Sequence, residues 1–177
     1  MKTKNIKEKI KKYFFSNPTI KLRVRQIERE LKFPLPSVIR YCRELEKEKI
    51  IKKENAAGVV LFSADRSSNT FLVEKRLFNL GLLLKCELMN YIIAEYSNPT
   101  IVLFGSFSKG EDTEGSDIDL YIETPSKKGI KLGKFEKMLK RRIQIFRYSN
   151  INDVANIHLA NNIINGIAIN GFLEVFK

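Results

Sequence analysis

With 177 residues, 44% of them hydrophobic and 29% charged, the chain has material for one sizeable core or two small ones. No apolar run approaches the roughly 18 residues of a membrane span, and the lysine-rich N-terminus lacks the apolar stretch of a secretory signal, so a cytoplasmic protein without a membrane partner is expected. The net charge of +12 is uneven: residues 1–65 carry 17 Lys and Arg against 8 Asp and Glu, the remainder 15 against 12, which turns the front of the chain toward a polyanion.

In chain order, Asn5 to Phe15 has Ile6, Ile10, Tyr13 and Phe14 at helical spacing, and Asn17-Pro18 ends that helix. An extended piece, Ile20 to Leu22, leads to a second helix from about Arg25 to Lys32. After the turn at Phe33-Pro34, a third helix runs from Pro36, well placed in a first turn, to about Lys49. On it Val38, Cys42 and Leu45, with Ile39 beside them, make the inward stripe, while Ser37, Arg40, Tyr41 and Glu44 are expected to face outward. The runs 50–54 and 59–62 flank a small-residue tip, Asn55 to Gly58, and read as a hairpin.

This order of helix, short strand, two helices and hairpin resembles the winged helix-turn-helix domains of prokaryotic DNA-binding proteins. The resemblance implies double-stranded DNA as partner, with Ser37, Arg40 and Tyr41 nearest base edges and Arg43, Lys47, Lys52 and Lys53 approaching phosphates. Winged helices also serve in dimerisation and protein docking, and the same charges then form a solvated face.

The polar stretch Ser63 to Thr70 is the expected boundary of a first domain, residues 1–65. Residues 66–97 are read as a connecting helix, Phe71 to about Tyr96, interrupted near Gly81. Its leucine stripe also suits the seam of a homodimer. Cys42 and Cys86 are too few and too isolated for a metal cluster and read as packed thiols, and His158, the only histidine, as a surface or capping residue.

Thr100 to Phe104 is β-branched and apolar throughout, the pattern of a buried strand. It delivers the chain to Gly105, which turns without a side chain in the way, and to a helical turn from Ser106 to Lys109. Free N–H groups and the Ser106 hydroxyl there favour a bound phosphate, and Lys109 adds charge. After ten intervening residues the chain re-enters a strand at Asp117-Ile118-Asp119. Alternation puts Asp117 and Asp119 on one face and Ile118 and Leu120 on the other. Two carboxylates roughly 6.5 Å apart along a strand can converge on one or two divalent cations, and hard oxygen ligands suit Mg²⁺ or Mn²⁺.

Pro125 to Gly129 reads as a loop, Leu132 to Lys140 as an amphipathic helix, Arg142 to Arg147 as a strand, and Asp153 to about Asn165 as the last helix, capped by Asn152 or Asp153. Lysines 127, 128, 131, 134, 137 and 140 with Arg141 and Arg142 form a second basic cluster, mostly a solvated helix face, parts of which could meet a triphosphate or a nucleic-acid acceptor.

The segment IVLFGSFSKGEDTEGSDIDLYIE resembles the signature of polymerase-β-like nucleotidyltransferases, especially the small minimal ones of prokaryotes, from about Asn98 onward. The resemblance implies an α+β domain over 98–177 with a small mixed sheet flanked by helices. It implies a nucleoside triphosphate, ATP being the expected one, with its phosphates at Gly105 and Ser106, and metals on the catalytic pair Asp117 and Asp119. Related minimal transferases include antitoxins that modify a partner toxin, so a protein acceptor joins the expected partners. The family's third carboxylate is not matched: alternation of the strand 142–147 puts Gln144 in its place, and Glu123 lies about two pleats too far along. Two functions are carried forward, a Mg-dependent transferase coupled to a DNA-binding head, and a DNA-binding regulator whose transferase domain senses nucleotide or dimerises.

Overall fold

The computed structural model describes residues 2–176. The chain divides into two compact units, Met1–Phe78 and Asn79–Lys177.

In the first unit, helices α1 (Lys2–Ser16), α2 (Val24–Leu31) and α3 (Leu35–Lys47) accompany a three-stranded antiparallel sheet of β1 (Lys21–Leu22), β2 (Ile51–Ala56) and β3 (Val59–Ala64) in the order β1-β3-β2. The two-residue turn between β2 and β3 holds Ala57 at φ 48° and Gly58 at φ 76°, the left-handed pair that matches strand twist in tight hairpins. Ile10 and Phe14 of α1, Ile27 of α2, Val38, Cys42 and Leu45 of α3, and Phe62 of β3 meet in one core. Burial there pushes the Cys42 thiol up to about 12, which keeps it protonated and inert.

Tyr41 departs from expectation. It is 5% exposed and belongs to that core, because its position three residues after Val38 and four before Leu45 falls on the buried stripe rather than beside it.

Helix α4 (Asn69–Lys85) passes straight through Gly81. The break comes later, at Glu87 (φ 57°), where α5 (Leu88–Glu95) departs at 56°. Phe71 of α4 packs in the first core and Leu83 in the second, so the unit boundary lies inside α4 and the expected connecting segment 66–97 is shared. No single helix is long and apolar enough to cross a membrane.

The second unit is built on a four-stranded mixed sheet of order β6-β5-β4-β7. Its strands are β4 (Thr100–Phe104), β5 (Ile118–Glu123), β6 (Ile143–Tyr148) and β7 (Ile167–Asn170). β5 and β7 run antiparallel to β4, and β6 parallel to β5. A short helix α6 (Gly105–Lys109) joins β4 toward β5, α7 (Gly133–Leu139) leads into β6, and α8 (Ile157–Ile164) leads into β7. One sheet face, with Ile101, Leu103, Ile118, Leu120 and Ile143, packs on Leu88, Met89, Ile92 and Phe135. The other, with Val102, Phe104 and Tyr121, packs on Ile151, Val154 and Ile163.

The C-terminal region also differs from its reading. A 3-10 turn at Ile151–Asp153, capped by Asn150, precedes α8, which is capped by Asn156 through hydrogen bonds from the amides of His158 and Leu159. The residues after α8 supply strand β7 beside β4. Gly166 permits that return: a Cβ there would lie 2.6 Å from Val102 Cγ1 and 2.7 Å from the Leu103 carbonyl oxygen.

Candidate active site and candidate nucleic-acid interface

β4 is the inner strand that carries the chain to Gly105, and β5 beside it carries the acids. The register sets Phe104 opposite Asp119, so Gly105 arrives against the Asp119 carboxyl. Gly105 has φ 73°, and a Cβ built on it would sit 2.3 Å from Asp119 Oδ2. The absence of a side chain at residue 105 therefore makes the space that the carboxylate fills.

Helix α6 closes on itself: Ser108 Oγ donates to the Gly105 carbonyl at 2.8 Å, and the Gly110 amide donates to the Ser106 carbonyl. Ser106 is half-buried and Lys109 exposed at the end of the turn. Asp117 stands one residue before β5 rather than inside it, half-buried like Asp119. Burial first, and the nearby Asp117 charge second, raise the Asp119 carboxyl above its ordinary value of 3.8.

That shift has a sign that can be tested. A carboxyl raised on folding contributes stability below its unfolded pKa and loses it as pH rises through the folded value. In metal-free protein at neutral pH the ionised Asp119 therefore opposes folding. Asp119→Asn is expected to raise the melting temperature at pH 7 to 8 by a few degrees at most, given solvent screening at a half-exposed site, with the gain fading toward pH 4. A melting temperature lowered at pH 7 to 8 would contradict this origin of the shift.

On the far side of β5, Asp119 pairs in register with Gln144 of β6, and residues directly paired in a sheet share a face. Gln144 is exposed and offers an amide oxygen without charge. Glu123 is engaged elsewhere, accepting a hydrogen bond from Tyr121 Oη at 2.8 Å. Among the described residues, no three His, Cys, Asp or Glu side chains gather in a metal-holding group. Two carboxylates fit Mg²⁺ nonetheless, since that ion keeps several waters and takes one or two carboxylates together with substrate phosphates. The hard-oxygen donors of Asp117 and Asp119, with Asp119 seated against side-chain-free Gly105, would suit such an ion.

Sequence reasoning missed the network that carries the loop into Asp117. Arg141, read as part of a solvated basic cluster, has its side chain 9% exposed and pairs at 2.8 Å with Asp112, whose side chain is fully buried. Asn79 Nδ2 donates to Asp112 Oδ1 at 2.7 Å and to the Phe107 carbonyl at 2.9 Å. The signal was faint: Asn79 among the leucines of α4, and Arg141 as the first of two arginines at a helix-to-strand junction. Other members of the cluster are also engaged: Lys128 pairs with Glu95 at 2.5 Å and Lys134 lies 4.5 Å from the Phe135 ring centroid.

In the first unit, Arg43, Lys47 and Lys53 line one groove of about 490 Å³ whose apolar wall includes Val24, Ile39, Val60 and Phe62. Ser37 is half-buried at the start of α3, and Arg40 is exposed. The Arg40 guanidinium lies 4.4 Å from the Tyr41 ring centroid and donates to Tyr41 Oη, with Glu44 at 3.8 Å. Tyr41, expected at a base edge, is thus a buried platform under Arg40. Lys52 leaves the group as well: adjacent strand residues point to opposite faces, and it lines a separate cleft with Lys21 and Ser63, held 3.2 Å from Glu54.

Residues 85–157 match the family model of the nucleotidyltransferase domain. The match lies within the second unit and supports a nucleotidyltransferase domain of the polymerase-β-like kind there; such a domain suggests nucleotidyl transfer in general and implies binding of a nucleoside triphosphate. No curated protein and no solved structure matches the chain.

Proposed function

We propose that the protein transfers a nucleoside monophosphate from an NTP, ATP foremost, to an acceptor hydroxyl in a Mg-dependent reaction, and that its first unit is a winged helix-turn-helix that binds double-stranded DNA. The observation that carries the transferase reading is the Asp119 carboxylate seated against side-chain-free Gly105 with the Asp117 charge beside it. A bound divalent cation at these acids would supply charge neutralisation for the phosphates. Gly105 and Ser106 orient the leaving phosphates, and Lys109, exposed at the end of the turn, adds positive charge to them. The acceptor oxygen forms a bond to the α-phosphorus as the bond to the β-phosphate oxygen breaks, releasing pyrophosphate. The Gln144 amide cannot take the hydroxyl proton, which passes to solvent.

Incubation with α-labelled ATP, Mg²⁺ and cell lysate tests this. Label is expected on a macromolecule with wild type and is expected to fall by about three orders of magnitude or more in Asp117→Ala/Asp119→Ala. The neutral side chain at Gln144 favours one second reading, a DNA-binding regulator that senses nucleotide through a weak or silent transferase. Absence of label, together with duplex affinity that changes with ATP, would select it. A protein acceptor, as in toxin-modifying antitoxins, is one outcome of the labelling.

The DNA reading rests on the charge excess of residues 1–65 and on Arg43, Lys47 and Lys53 along one groove. Each phosphate contact contributes about one unit to the salt slope of binding. Arg43→Ala/Lys53→Ala should weaken duplex binding and reduce that slope by about two. Unchanged affinity and slope in a gel-shift titration would rule it out.

A further inference from the structure

We propose that Arg141 is a positioning residue for Asp117, and that the buried Asn79–Asp112–Arg141 network exists to fix the conformation of that one acid. The proposal rests on the reading of Asp117 and Asp119 as the cation-holding pair.

The loop between α6 and β5 has little regular structure. Within it the Thr113 amide donates to Ser116 Oγ at 2.9 Å and the Ser116 amide to the Thr113 carbonyl at 3.2 Å. Arg141 holds it from behind at three points. Nη2 pairs with Asp112 Oδ2 at 2.8 Å, and Nη1 donates to the Thr113 carbonyl and, at 3.0 Å, to the Ser116 carbonyl. The guanidinium lies 5.6 Å from the Phe107 ring centroid.

Where these contacts fall in the chain is informative. The Ser116 carbonyl belongs to the peptide that enters Asp117, and the Ile118 amide belongs to the peptide that leaves it. The first accepts from the side chain of Arg141, and the second donates to the backbone carbonyl of Arg142 at 2.9 Å. Two consecutive residues at the head of β6 thereby bracket Asp117 on both sides. A buried ion pair is seldom the most stabilising filling for a protein interior, whereas a planar fork can orient several carbonyls at once. Lysine keeps the charge but offers no such fork.

A thermodynamic cycle tests this. Binding of Mn²⁺ with an α,β-methylene analogue of ATP would be measured by calorimetry for wild type, Arg141→Lys, Asp117→Asn and the double variant, each checked for folding by circular dichroism. Arg141→Lys is expected to weaken binding about tenfold or more in the wild-type background and less than about twofold once Asp117 is already Asn, because residues acting through one another are non-additive. Equal losses in both backgrounds, or no loss in either, would overturn the proposal. Should Arg141→Lys fail to fold, Asn79→Ala, which removes the bonds to Asp112 and to the Phe107 carbonyl and leaves the arginine in place, runs through the same cycle with the same expectation. If Asp117→Asn alone leaves binding unchanged, the cation-site reading fails, and this proposal with it. That outcome is distinguishable from additivity of a damaging Asp117→Asn with Arg141→Lys.

Discussion

Gln144→Glu is expected to raise nucleotidyl transfer by about 10- to 100-fold and to tighten Mn²⁺ binding. Gln144 is the register partner of Asp119 on the adjoining strand, where neighbouring backbones lie about 4.8 Å apart. The change keeps shape and swaps a neutral amide for a carboxylate that can hold a cation or take a proton, and a positioned general base contributes roughly 10²–10⁴-fold. The expected gain is set below that range because the introduced carboxylate would be exposed to solvent. Because the residue is exposed, no core packing is disturbed. The measurement is single-turnover transfer from α-labelled ATP together with Mn²⁺ calorimetry. A folded Gln144→Glu protein unchanged in both would mean that residue 144 is not aimed at the cation. Activity appearing only in the variant would identify the natural protein as a nucleotide binder with a silenced site.

Gly105→Ala carries the second large effect, in the opposite direction. Two separate penalties meet there: a left-handed φ of 73° and a methyl group placed 2.3 Å from Asp119 Oδ2. The conformational part costs about 1–2 kcal/mol, and the clash is relieved only by moving the backbone or the carboxylate. A fall in melting temperature of roughly 5–10 °C follows from the first part alone for a domain of this size, along with loss of Mn²⁺ and nucleotide binding by tenfold or more. In an Asp119→Ala background the clash is gone, so the same substitution should cost only its conformational share. An equal destabilisation in both backgrounds would show that the carboxylate does not rest on Gly105.

These two residues illustrate how legible the site is in the sequence. The placement of Gly105 beside Asp119 can be read because it depends on local grammar, a buried strand ending at a glycine and a second strand returning beside it, whereas Asp117 stands one residue before that second strand. Gln144 can be read for the same reason, since the period-two pattern of residues 142–147 survives in β6 with Ile143 inward. Tyr41 is misplaced by such reasoning because a helix face one residue wide separates buried from exposed, and the apolar pattern tolerates either choice. Charge alone groups Lys52 with Lys53, although strand geometry sends neighbours to opposite sides.

The amino-acid order alone determined the strand-turn-strand that sets Gly105 against Asp119, the alternation that makes Gln144 the neighbour of that acid, and the concentration of positive charge in the first third. All of these follow from short-range periodicity and composition. Only the tertiary structure decided that Arg141 leaves the solvated cluster to pair with Asp112, that β7 returns to flank β4, and that the helix from Asn69 to Lys85 serves both cores. Those outcomes depend on contacts between residues far apart in the chain, whose energies come from desolvation and hydrogen-bond completion that no local pattern encodes.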